Sequence, residues 1–217
     1  VSDTDSFIDE VTEEVRRDRL FRLMRRYGWI AVLAVLVLVA GAGWNEWRKS
    51  QDRQAAQALG DAILSGLERD APAARARALA EMEAPNPGSR AVLDLLTASE
   101  EAAVAPADAA NRLLALAESS GVAPAYRQIA ILKAVMIPDS GLPVEERRQR
   151  LEELALGSGL TRLLAEEQLG LMDAAAGETS AAIERLRQVS VDADATQGLR
   201  RRVTQVIVAL GGDPQAR

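Results

Sequence analysis

Histidine and cysteine are both absent from this chain. The usual neutral-pH base, the thiolate nucleophile and the imidazole or thiolate metal ligand are therefore missing, and no disulfide can form. A serine-lysine dyad would have to use Lys49 or Lys133, the two lysines present. Lys49 lies in a cluster beside a long apolar run, and Lys133 occurs in "YRQIAILKAVMI" with no adjoining serine. Adjacent carboxylates, Glu152/Glu153 and Glu166/Glu167, have the residue type for acid-base work. On alanine-rich stretches with arginines nearby they read as a solvated helix face. "GSG" at 157–159 reads as a helix stop rather than a phosphate cradle. The basic triplet in "LRRRV" at 199–203 reads as the exposed side of a last helix, with Val203, Ile207 and Leu210 turned inward. A net charge of −6 argues against general nucleic-acid binding. No catalytic, metal or cofactor-binding residue is expected, and the chain reads as non-enzymatic.

The elements that carry these residues follow from composition. The chain is 48% hydrophobic and only 3% aromatic, with alanine and leucine supplying most of the apolar mass. Both are strong helix formers, so an all-α fold is expected. Only Tyr126 among the aromatics falls after residue 50, which leaves an aliphatic core for the remainder.

From Tyr27 to Asn45 run 19 residues without a charge. As a helix they span roughly 28 Å, against about 30 Å for the hydrocarbon of a bilayer. Tyr27 and Trp29 stand at one end, Trp44 and Trp47 at the other, where amphipathic rings favour the headgroup level. A buried core helix would carry a polar stripe. A cleaved signal is opposed by the 26-residue leader with its seven acids, by the length of the run and by the Trp-x-x-Trp that follows. The expectation is an uncleaved transmembrane helix over 27–47. Six arginines (Arg16, Arg17, Arg19, Arg22, Arg25, Arg26) precede it, and Arg48, Lys49 and Arg53 follow. The positive-inside rule then puts residues 1–26 in the cytoplasm and 48–217 in the periplasm of a bacterial inner membrane. Ser6 and Asp9 fit a capping box opening a helical tail; the plainer reading is a solvated juxtamembrane helix with acid-base pairs, the other an apolar face that docks on a partner or lies on the lipid bilayer.

Beyond the anchor, "RKSQDRQAAQALGDAILSGLERD" continues the helical pattern with Ala55, Leu59, Ile63 and Leu67 on one face, ending near Asp70. Turn signals then recur at Pro72, "APNPGS", Pro106, "SSGVAP", "IPDSGLP", "GSG", Gly177 and "DADATQG". Eight or nine short antiparallel helices in a solenoid account for this spacing. The segment from Leu163 to Val189 carries tetratricopeptide-like spacing. Leu169 and Gly170 fall late in one helix, Gly177 and Glu178 at the turn, Ala182 and Ile183 in the next helix, and Leu186 at a large apolar position. Small residues let the two helices approach, and the turn glycine can take positive φ. Glu166, Asp173, Thr179 and Leu186 depart from the repeat pattern, standing where aromatics are usual. The predicted fold is one transmembrane helix followed by a TPR-like helical-hairpin solenoid.

Together these parts resemble the YfgM-like family of ancillary SecYEG translocon subunits, in its alphaproteobacterial form. The likeness rests on "DSFIDEVTEEVRRDRLFRLMRRYGW", on the single anchor, on the following "RQAAQALGDAI" and on "LAEEQLGLMDAAAGETSAAIERLRQV". It implies a non-enzymatic partner of the Sec channel and of a membrane-anchored, prolyl-isomerase-like periplasmic chaperone. An accessory or assembly subunit of a respiratory or photosynthetic complex is the other expectation. Scarce aromatics remove the usual markers of an interaction hot spot, so the sequence assigns no binding face.

Overall fold

Proline stands first in four helices of this chain, where its missing N–H costs nothing and its fixed φ is already helical. The computed structural model describes the backbone of residues 3–214, and the side chains of residues 25–214 other than 27, 28, 31, 32 and 35. Its helices are α1 (Asp3–Leu67), α2 (Pro72–Ala80), α3 (Pro87–Glu101), α4 (Pro106–Glu118), α5 (Pro124–Met136), α6 (Val144–Ala155), α7 (Gly159–Ala175), α8 (Thr179–Val191) and α9 (Gln197–Ala209). The described residues contain no strand. Packing divides the chain into Val1–Ala58 and Leu59–Arg217, a boundary inside α1.

In the first unit α1 is already helical at Asp3, so Ser6 does not start the helix as its capping box implied. Acids at a helix start complement the positive end of its dipole, and Asp3 and Asp5 extend that advantage upstream of Ser6. Leu36, Val37, Leu38 and Val39 are each at least 60% exposed. Successive helical residues point 100° apart, so these four go right round the helix. Among the described residues no helix is long and apolar enough to cross a membrane. The expected anchor 27–47 includes the five positions 27, 28, 31, 32 and 35, whose side chains lie outside the described set.

The second unit is a series of helical hairpins. Each helix packs on the next in chain order, and α5 also touches α3 and α7, which makes it the centre of the stack. Three apolar clusters follow one another. The first, across α3, α4 and α5, is built largely of alanines (Ala91, Ala98, Ala109, Ala110, Ala130, Ala134) around Leu113 and Leu116. The second joins Leu132 and Val135 of α5 to Leu151, Leu154 and Leu169. The third joins Leu163 to Leu186, Val189, Leu199, Val203 and Ile207. No hairpin could bury its own apolar face alone; each is covered by its neighbour.

The turns follow local chemistry. Asn86 caps α3 by accepting from the Ser89 N–H at 2.9 Å. Thr196 caps α9 by accepting from the Leu199 N–H at 3.2 Å. The α7–α8 turn is a Schellman motif: Gly177 takes φ +84°, and the Glu178 N–H donates back to the Asp173 carbonyl at 2.9 Å.

Space around the glycines separates two kinds. A Cβ on Gly170 would lie 2.9 Å from Cγ and Cδ2 of Leu186, whereas one on Gly60 meets nothing within 4 Å. Gly170→Ala is expected to destabilise the chain by about 1–3 kcal/mol through overpacking. Gly60→Ala should stabilise it by about 0.5–1 kcal/mol by rigidifying a helical position. Urea unfolding followed by circular dichroism checks both signs.

Candidate interaction surface

The hairpin of α7 and α8 brings together every residue of the tetratricopeptide-like pattern. Leu169, Ala182 and Leu186 are fully buried, Ile183 packs against the third cluster, and Gly177 and Glu178 form the turn. Where the pattern usually has aromatics, this hairpin has ions. Arg185 donates to Glu166 at 2.6 Å and to Asp173 at 3.0 Å, and Arg148 of α6 closes on the other Asp173 oxygen at 2.9 Å. Burial alone would lower the Arg185 pKa, but its bonds to Glu166 and Asp173 outweigh that and raise it. The network clamps α6, α7 and α8 together.

One sequence reading is corrected here and another gains a contact. Glu166/Glu167 are not a solvated face: Glu167 is 4% exposed and receives both donors of Arg202, at 2.6 and 2.7 Å. The triplet of "LRRRV" does lie on the outer side of α9, with Arg201 and Arg202 exposed and Val203 and Ile207 buried; Arg202 in addition ties α9 to α7 across 35 residues of sequence. Adjacent residues on a helix point 100° apart, so one carboxylate of a pair can be buried while its neighbour reaches outward. Glu152 and Glu153 are exposed, as a solvated face requires.

Lys133 and Ser99 line the same small hollow, a proximity the sequence did not reveal. They form no dyad, because no hydrogen bond joins them and Ser99 Oγ donates to the Leu95 carbonyl at 2.8 Å. Among the described residues no cluster of three carboxylates is placed to hold a metal ion.

Two open hollows meet around α5. A groove of about 450 Å³ lies between α5, α6 and α7, lined by Met136, Val144, Leu151, Leu171 and Met172 among others. A second, of about 220 Å³, lies between α3, α4 and α5, with Ala98, Leu113 and Ile137 in its wall. Met136 borders both. Met136, Val144 and Leu171 keep substantial exposure although the helices around them are packed. Two of the chain's four methionines thus sit at this opening, and unbranched thioethers adapt to varied apolar partners. A larger cleft of about 780 Å³ between α3 and α4 carries two arginines, Arg90 and Arg112, against three carboxylates, Asp94, Glu101 and Asp108. Its Arg112 is bound by Glu101 at 2.7 and 2.9 Å. The sequence missed the apolar groove because its residues also read as core positions of amphipathic helices.

The residues expected at the membrane lie on α1. Arg25 and Arg26 are exposed, as are Trp29, Trp44 and Trp47. The rings of Trp44 and Trp47 stand 5.1 Å apart at 44°. The side chains of Arg16, Arg17, Arg19, Arg22 and Tyr27 lie outside the described residues.

Two ionic contacts give measurable consequences. Arg202→Ala leaves Glu167 buried without a partner and is expected to cost about 1–2 kcal/mol, less than a fully buried pair because Arg202 is half exposed. Urea midpoints should show part of that loss recovered in the Arg202→Ala/Glu167→Leu double variant. The Arg162 hydrogen bond, then the Asp194 N–H, holds the Asp192 carboxyl below the ordinary aspartate range. A depressed pKa contributes stability above the unfolded value and loses it as pH falls through the folded one. Asp192→Asn is therefore expected to be less stable than the parent at pH 7, and the gap should close on acidification below the ordinary aspartate range.

No curated protein and no solved structure matches the chain. A match to a family of known domains falls on residues 24–140, from the end of the α1 tail through α5. It does not extend to α7 and α8, where the repeat-like spacing is most legible. The stack of helical hairpins and this match over more than half of the chain agree: the protein belongs to the tetratricopeptide repeat-like domain family.

Proposed function

We propose that the chain is a membrane-anchored protein-interaction module whose partner is an inner-membrane complex, the Sec translocon first, with a chaperone-like role toward exported proteins. Tetratricopeptide repeat-like domains are protein-interaction modules, and the apolar groove beside Met136 is a surface of the kind an extended client needs. The observation that carries the anchoring is the uncovered apolar girdle of α1, where Leu36 to Val39 are exposed on all sides. Each such side chain gains about 1.5–3 kcal/mol on leaving water, and a bilayer takes them all. The 19 uncharged residues from Tyr27 to Asn45 match a hydrocarbon core in length. The six arginines before them, against three basic residues after, support a cytoplasmic tail and a periplasmic helical domain. Tethering raises the effective concentration of the domain for membrane partners, so weak contacts suffice. The resemblance to ancillary translocon subunits names the Sec channel and a periplasmic chaperone as those partners.

The cysteine-free sequence makes topology directly measurable. In bacterial cells a membrane-impermeant maleimide is expected to label Ser120→Cys in intact spheroplasts and Asp5→Cys only after lysis; the reverse pattern overturns the orientation. Affinity capture of the full chain from native membranes, read by quantitative mass spectrometry, is expected to recover the Sec channel and a periplasmic chaperone in stoichiometric amounts. Recovery of a respiratory or photosynthetic complex in their place makes the protein an accessory subunit of that complex.

A further inference from the structure

The two hollows around Met136 differ from the rest of this acidic chain in their charge. The protein carries 32 acids against 26 bases. Yet the walls of the two hollows hold Lys133, Arg147 and Arg148 and not one carboxylate. Arg148 is balanced by Asp173 at 2.9 Å. Arg147 is not balanced: its hydrogen bonds go to the Leu142 and Ile137 carbonyls and to Ser140 Oγ, at 3.1–3.2 Å. Neutral acceptors orient a guanidinium without cancelling its charge. Lys133, partly buried in the wall of the smaller hollow, has neither an ion pair nor a hydrogen bond among the described residues. Everywhere else in the helical unit most arginines have found a carboxylate, as Arg75, Arg112, Arg162, Arg185 and Arg202 have. One uncompensated cation thus stands in each hollow: Arg147 beside the apolar floor of Met136, Val144, Leu171 and Met172, and Lys133 beside Ala98, Leu113, Met136 and Ile137.

We propose that this paired hollow binds an extended peptide segment of another protein that offers apolar side chains together with at least one carboxylate. The argument is charge complementarity. An apolar segment gains by covering the exposed methionines, valine and leucine, and a carboxylate placed among them meets Lys133 and Arg147 in a partly dry setting, where charge-assisted bonds are strong. A basic segment would instead face two like charges, which supplies selection against it. Met136, common to both hollows, lets one segment occupy both in succession, and its flexible side chain tolerates different apolar residues. The proposal rests on the reading of the helical domain as a protein-interaction module and names the chemistry of what that module takes.

The test uses the full chain in nanodiscs of phosphatidylcholine and three fluorescein-labelled decapeptides of leucine and serine. One carries two aspartates, one asparagines in their place and one lysines. Fluorescence anisotropy is expected to show the aspartate peptide binding about tenfold tighter than the asparagine peptide, with the lysine peptide weakest. Lys133→Glu alters an unpaired, partly exposed residue, with circular dichroism checking that the helical fold is kept; it is expected to remove the preference for aspartate and favour the lysine peptide. Leu171→Asp is expected to weaken all three. Equal binding of the three peptides overturns the acidic specificity and leaves the interaction module standing. Absence of peptide binding by a protein that still captures its membrane complex overturns the groove as the site. Loss of that capture as well removes the parent reading. Binding of phosphatidylglycerol vesicles, or self-association, that Leu171→Asp abolishes assigns the groove to lipid or to a second copy and overturns the proposal.

Discussion

Where α7 and α8 cross, the backbone of Gly170 lies against the side chain of Leu186 with no room for a methyl group between them. The rest of the helical unit depends on close approaches of this kind. A chain with one aromatic after residue 50 cannot fill wide inter-helical space with rings. It reaches native packing by bringing helices near one another over alanine and glycine, with leucine interdigitating. The alanine-built cluster of α3, α4 and α5 follows the same rule, and Gly66 at the end of α1 meets Met82 in the same way.

Close approach has an electrostatic consequence. Helices this near bring guanidinium and carboxylate groups into contact, and the chain uses them where a repeat of this family usually places aromatic rings. Asp173, nearly inaccessible, is held by Arg148 and Arg185 from two different helices, and Glu167 by Arg202 from a third. Such pairs are geometrically demanding, so they select one register of neighbouring hairpins over slipped alternatives, while apolar burial supplies most of the cohesion. Lys133 and Arg147 are among the cations that this internal pairing leaves without a carboxylate, and they are the ones that line the two hollows around Met136.

Function follows from what packing leaves uncovered. On α1, among the described residues, it is the apolar turn from Leu36 to Val39; on the helical unit it is a groove with two methionines beside α5. A girdle with no polar face suits a solvent that is apolar on every side. A groove with an apolar floor and charged rim suits a partner that is apolar on one side only. The two surfaces therefore differ in kind, and under the proposed function the first meets a bilayer and the second a polypeptide.

The sequence by itself determined the helices and their limits, because proline at helix starts, capping Asn86 and Thr196, and positive-φ Gly177 act within a few residues of themselves. It also determined the α7–α8 hairpin, since Leu169, Gly170, Ala182 and Leu186 register through a turn of fixed length. The long α1 was legible from helical spacing uninterrupted by proline, though its start at Asp3 rather than Ser6 was not. Tertiary structure alone decided that Glu167 is buried while Glu152 is exposed, because their sequence surroundings are alike and only the crossing of α9 over α7 distinguishes them. It alone decided that Met136 and Leu171 stay open while Leu169 and Leu186 are covered. Periodicity names the apolar face of a helix, but the spacing between three helices sets how much of that face is closed.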